Sequence, residues 1–143
     1  MASLEKQDYK NFEVLFSDDI SKDNSIDIAK KYKKNLNLKI VKGTTRTKYG
    51  SYNQMNSILR AFKKSSGKII LFLDSDDFFH KKKISKKIWP IFPPQSCISM
   101  KRDFFEEVFP QISFKKFFNI WFDFRVAFYS YFISKNFEIL DKR

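Results

Sequence analysis

The chain has 143 residues, with 28 Lys and Arg against 16 Asp and Glu, a net charge of +12, 43% hydrophobic residues and 18% aromatic ones. This length suggests a single domain, and this composition supports a packed core rather than a disordered tail. A lone cysteine, Cys97, and a lone histidine, His80, exclude an intrachain disulfide, a Cys-rich zinc site and a multi-His site, so any metal must be held by carboxylates.

In chain order, residues 4–9 read as the end of a helix, and Phe12–Ser17 as a buried strand running into the polar loop Asp18–Asn24. From Ser25 to Lys34, Ile26, Ala29 and Tyr32 recur at helical spacing. Leu38–Val41 is a short strand, and Gly43 to Asn53 is polar and turn-like. Met55, Ile58, Leu59 and Phe62 mark an amphipathic helix that closes near Ser65-Ser66-Gly67. Lys68–Leu73 is the strongest strand signal, apolar on both faces as a central parallel strand should be, and Asp74-Ser75-Asp76-Asp77 follows at once. Strands alternating with helices predict βαβ units and a parallel sheet.

The second half changes character, since 15 of the 18 Phe lie from Phe72 onward. Ile88–Pro94 breaks regular structure. Ser96–Met100 is a candidate strand, Asp103 is a candidate cap of a helix through Val108, Ile120–Ser134 is a nearly all-apolar helix, and Phe137–Leu140 is a candidate last strand. The Phe-rich stretch reads as core or as a membrane-docking surface. The longest purely apolar run, Ile69–Leu73, is far short of the about 20 residues that cross a bilayer, and Met1–Lys6 lacks the apolar core of a signal peptide.

The positive charge is spread in pairs and triplets such as Lys30-Lys31, Lys81-Lys82-Lys83 and Lys115-Lys116, which fit solvated helix faces. It also attracts polyanions. Specific readers of nucleic acid lean on Arg, which is scarce here, and no zinc-finger, RNA-recognition or basic-zipper signature is present.

The acids carry the chemistry. Five of the 16 sit in two short clusters, Asp18-Asp19 and Asp74, Asp76, Asp77, each directly after an apolar strand. Parallel α/β sheets bind ligands beyond the carboxyl ends of their strands, so two such clusters can line one crevice. Oxygen-only ligands suit Mg²⁺ or Mn²⁺ shared with substrate phosphates. The alternative is that each cluster caps a helix. Asp123, the only acid between Glu107 and Glu138, sits among aromatic residues in Trp121–Arg125, where an Asp is costly to bury unless it is functional or is paired as a helix cap or with Arg125.

Gln7-Asp8-Tyr9-Lys10-Asn11-Phe12-Glu13, then Asp18-Asp19-Ile20-Ser21-Lys22-Asp23, resembles the opening of the family-2 glycosyltransferases of GT-A fold, and Leu73–Asp77 resembles that family's DxD segment. The match covers roughly residues 3–88. The resemblance implies an α/β, Rossmann-like, mostly parallel sheet flanked by helices, incomplete, with a Phe-rich helical C-terminal part. It implies one domain over 1–143, with a nucleotide-sugar half at 1–88 and an acceptor side at 89–143. The family's first strand would precede Ser3, and the interval from Lys83 to Pro94 is shorter than the family's, so a shortened chain is expected.

By the same resemblance, Asp19 contacts the nucleotide base, Asp18 supports that loop, Asp74 lies near the ribose and metal, Asp76 ligates the metal, Asp77 orders the loop, and Asn56 matches an Asn ahead of the DxD strand. Ile120–Arg125 resembles the segment bearing the family's catalytic acid, here Asp123. The implied function is transfer of a sugar from a nucleotide-diphosphate donor to a hydroxyl of a glycan or lipid-linked acceptor, with inversion, assisted by Mn²⁺ or Mg²⁺, in cell-surface polysaccharide synthesis. The expected location is the cytoplasm, with peripheral association at the inner face of the membrane. Two alternatives stand beside it: an inactive shortened remnant of such an enzyme, and a non-catalytic basic domain that binds nucleic acid or anionic membrane.

Overall fold

The computed structural model describes residues 1–82, 84, 98–112 and 119–134. A short helix α1 (Ala2–Glu5) leads into strand β1 (Val14–Asp18), helix α2 (Ser25–Lys31) with a 3₁₀ turn at Tyr32–Lys34, strand β2 (Leu38–Lys42) and helix α3 (Gly50–Phe62). Strands β3 (Ile69–Leu71) and β4 (Ser99–Lys101) and helices α4 (Arg102–Ile112) and α5 (Phe122–Ser134) follow.

β1 and β2 pair in parallel, with Val14 opposite Leu38 and Asp18 opposite Lys42. The α2 crossover between them makes this the βαβ unit that the alternation of strand and helix predicts. β3 departs from expectation. It pairs with β4 antiparallel, Ile69 opposite Lys101, and Ile69 is 40% exposed. The apolar run is real, but only its later residues, notably Phe72, turn into the core, so β3 is not a central parallel strand among the described residues. The two strand pairs share no ladder among the described residues. Glu13 joins them instead, accepting hydrogen bonds from the Ser66 and Gly67 amides and the Ser66 hydroxyl just before β3.

Two further boundaries differ. The first helix stops at Glu5, because Gln7 leaves the helical path to bond elsewhere. α3 begins at Gly50, inside the stretch that reads as turn-like, because its polar first turn serves the loop before it and hides the helical period. α4 runs from Arg102 to Ile112, with Asp103 in its first turn. The expected strand at Phe137–Leu140 and the break at Ile88–Pro94 lie outside the described residues.

One core binds α3, β3, α4 and α5: Met55, Leu59, Phe72, Ile98, Phe105, Val108, Ile112, Phe122 and Val126 are all buried. Phe105 is its hub. Its ring meets Phe62 edge-on at 4.5 Å and lies 5.7 Å from Phe72 and 6.2 Å from Phe122. Edge-to-face contacts of this kind add to simple area burial. The Phe-rich segment is therefore partly core, as expected, while Phe78, Phe124 and Phe128 stay exposed. Among the described residues, no helix is long and apolar enough to cross a membrane.

Candidate active site

The first acidic turn is built by Asp18, which is buried and accepts hydrogen bonds from the Ile20 and Ser21 amides. These bonds hold Ile20 at φ 61°, a left-handed conformation that a β-branched residue rarely adopts. Asn24 occupies the N-cap position of the helix that follows, so Asp18 and Asp19 do not stand at its cap. Asp19 lies between two arginines, with Arg46 Nε at 3.5 Å and Arg60 Nη2 at 3.4 Å. Arg60 also donates to the Ser57 hydroxyl at 2.8 Å. Gly43 fits because it lacks a side chain: a Cβ there would lie 2.8 Å from Arg60 Nη2 and 3.1 Å from the Asp18 carbonyl oxygen.

The second acidic turn follows β3. The Asp77 amide donates to the Asp74 carbonyl at 3.3 Å, closing the turn that carries Ser75 and Asp76. Asp76 and Asp77 are exposed and Asp74 is half-buried. The Asp74 carboxyl is held above its ordinary value, first by burial and then by the negative charges of Asp76, Asp77 and Asp123. A hydrogen bond from Gln54 acts the other way.

The negative charge of Asp123, which the family resemblance makes the base, is felt at Asp74. Asp123 stands second in α5, inside the helix rather than at its cap. The suggested partner, Arg125, is engaged elsewhere, donating to the carbonyls of Ile112 and Ile120. Trp121 packs beside Gly50, where an added Cβ would lie 3.9 Å from the indole, so the starts of α5 and α3 meet next to the site.

Asp74 and Asp76 are oxygen ligands of the kind that Mg²⁺ or Mn²⁺ takes, and they are the acids of the second turn that could hold such an ion. Among the described residues, no three His, Cys, Asp or Glu side chains converge as a complete cage.

Sequence reasoning missed the clips that fix these turns. Gln7 is buried. Its amide donates to the carbonyls of Ser3 and His80, and its oxygen accepts from the Ile84 amide, pinning the segment after Asp77. Gln7 and Glu13 belong to the motif that marks the family resemblance, and both are staples between distant parts of the chain. Asn53, also buried, holds the Thr47 loop through three hydrogen bonds. Asn56, singled out by the resemblance, is half-buried on the same helix.

A parallel strand–helix–strand unit with an acidic turn at the carboxyl end of its first strand makes this an α/β protein with its candidate site where such sheets bind ligands. More narrowly, the chain belongs to glycosyl transferase family 2, whose family model matches residues 1–141. It is 38% identical over 81 residues to the poly(ribitol-phosphate) beta-N-acetylglucosaminyltransferase TarS of Staphylococcus aureus strains Mu50 and MW2, covering 55% of this chain and 13% of that protein. Its fold superposes on S. aureus TarS 1-349 in complex with UDP at a TM-score of 0.55 and 31% identity, over 76% of this chain and 27% of the other. The same fragment in complex with UDP-GlcNAc gives 0.52 and 29%, over 76% and 26%. The chain thus spans about a quarter or less of these relatives.

Proposed function

We propose that this domain transfers a sugar from a nucleotide-diphosphate donor to an acceptor hydroxyl, with inversion at the transferred carbon. The observation that carries this reading is the family-2 match over residues 1–141 in a chain whose acidic turns follow β1 and β3. Asp19 would meet the nucleotide base and Asp18 would shape its loop, with Asn56 on the flanking helix. Asp74 and Asp76 would hold Mn²⁺ or Mg²⁺, which supplies charge neutralisation for the departing diphosphate. Asp123 would accept the acceptor's proton as that hydroxyl attacks.

The likeness to TarS makes a UDP-sugar the first donor to test and a polyol-phosphate polymer the first acceptor. A phosphate-linked polymer also suits a chain of net charge +12. The proposed setting is the cytoplasmic side of the membrane, in the synthesis of a cell-surface polymer, with lysines drawn to anionic lipid.

Two variants test the reading. With UDP and Mn²⁺ at about 100 times the dissociation constant, wild type should gain roughly 2.7 kcal/mol of stability. Asp76→Ala should lose the Mn²⁺-dependent part of the thermal shift. Asp123→Asn keeps shape and hydrogen bonding but takes no proton, so turnover should fall about 10²-fold or more while UDP binding holds. Normal turnover in folded Asp123→Asn would remove the base assignment. No thermal shift in wild type would favour a non-catalytic domain.

A further inference from the structure

α3 carries three polar residues at three-residue spacing, Gln54, Ser57 and Arg60, which places them on one side of the helix. Arg60 serves Asp19 in the first acidic turn, and the Ser57 carbonyl accepts from Ser17 of β1 at 2.8 Å. Gln54 serves the second turn, hydrogen-bonding the Asp74 carboxyl. This bond favours the charged form of Asp74, as only a donor to the carboxylate does, so the amide offers it the NH₂ end. This fixes the other half of the amide, with Oε1 turned from Asp74. Oε1 is shut off from solvent and has no hydrogen-bond partner among the described residues.

Buried acceptors are nearly always paired, and an unpaired one opposes folding. A Gln kept only to brace α3 against Asp74 gives no reason for an unmet oxygen. A Gln that awaits a ligand hydroxyl does. Gln54 as a whole is only half-buried, although its Oε1 is closed off. A vicinal diol presents two hydroxyl donors side by side, and the Asp74 carboxylate and Gln54 Oε1 are two neighbouring acceptors.

We propose that Gln54 is a donor-recognition residue, its NH₂ orienting Asp74 and its Oε1 accepting a hydrogen bond from the ribose diol of the bound nucleotide. This rests on the reading that Asp74 stands in the donor site.

The test is equilibrium binding of UDP and of 2′,3′-dideoxy-UDP, each with Mn²⁺, to wild type, Gln54→Met and Gln54→Glu, with the melting temperature of each unliganded protein. Wild type should prefer UDP by about tenfold or more. Gln54→Met is close in size and removes the unmet oxygen, so its melting temperature should equal or exceed wild type while UDP affinity falls about tenfold and the diol preference shrinks to a few-fold. Gln54→Glu keeps an acceptor oxygen and loses the NH₂, so the diol preference should survive while UDP–Mn²⁺ affinity changes. It also decides the matter if Gln54→Met does not fold. Full diol preference in folded Gln54→Met, or its loss in folded Gln54→Glu, overturns the assignment and leaves the donor site standing. No binding of UDP to wild type overturns the donor-site reading, and this inference with it.

Discussion

Glu13 shows how much one side chain of a recognition motif can do. Partial burial works to raise its pKa, yet the hydrogen bonds from Lys39, Ser66 and Gly67 outweigh that and bring it from 4.5 down to about 2. The carboxylate is only 11% exposed, so these bonds are poorly screened. A folded-state pKa below the unfolded one contributes stability that is complete above about pH 4.5 and is lost as pH falls toward 2. The shift corresponds to at most about 3 kcal/mol. Glu13→Gln should therefore lose about 1–3 kcal/mol at pH 7 and should be less acid-sensitive than wild type between pH 4.5 and 2. Urea midpoints across that range measure both effects, and parallel pH profiles for the two proteins would contradict the assignment.

At the scale of elements, α3 organises the site. Its apolar residues Met55 and Leu59 enter the shared core, while its polar residues reach both acidic turns. Its start was not legible in the sequence. Gly50, Ser51, Tyr52 and Asn53 read as a turn because polar residues break the apolar period, and they are polar because the helix start must hold the preceding loop. Asn53 accepts from the Thr47 amide and hydroxyl, both at 2.9 Å, and donates to the Thr47 carbonyl at 2.7 Å. Asn53→Ala leaves Thr47 without these partners and should cost about 1–3 kcal/mol. It should also release the loop that carries Arg46 toward Asp19. Amide hydrogen exchange across residues 43–49 should speed up in this variant while exchange in β1 and β2 stays slow. An unchanged loop would show that Thr47 is held by other contacts.

Over the whole molecule, the signals that run along the chain were legible: the strand of Val14–Ser17, the helix after Ser25, and acids placed directly after apolar strands. Partnerships between distant residues were not, because periodicity carries no record of which residues meet across 54 positions, as Glu13 and Gly67 do, or 73, as Gln7 and His80 do. Charge is distributed with similar economy. The four described arginines each bond a defined partner, Arg102 by donating to Gly67 and Ser65 and Arg125 by donating to backbone carbonyls. Most described lysines are exposed. This division follows from the rigid fork of Arg and the hydrated point charge of Lys. The excess of +12 therefore acts mainly as a long-range field from the surface. Such a field attracts any polyanion, and salt weakens it as the screening length shrinks from about 10 Å at 0.1 M to about 3 Å at 1 M. Binding of the proposed polyol-phosphate acceptor, with poly(ribitol phosphate) as the probe, should accordingly weaken by about tenfold or more between 0.05 and 0.5 M NaCl, by release of counterions from the polymer. UDP binding in Mn²⁺ depends on the local acidic site and should change far less. Fluorescence anisotropy of labelled polymer and titration of UDP across the same salt series separate the two. Equal salt dependence for both ligands would show that the lysines play no special part in holding the acceptor.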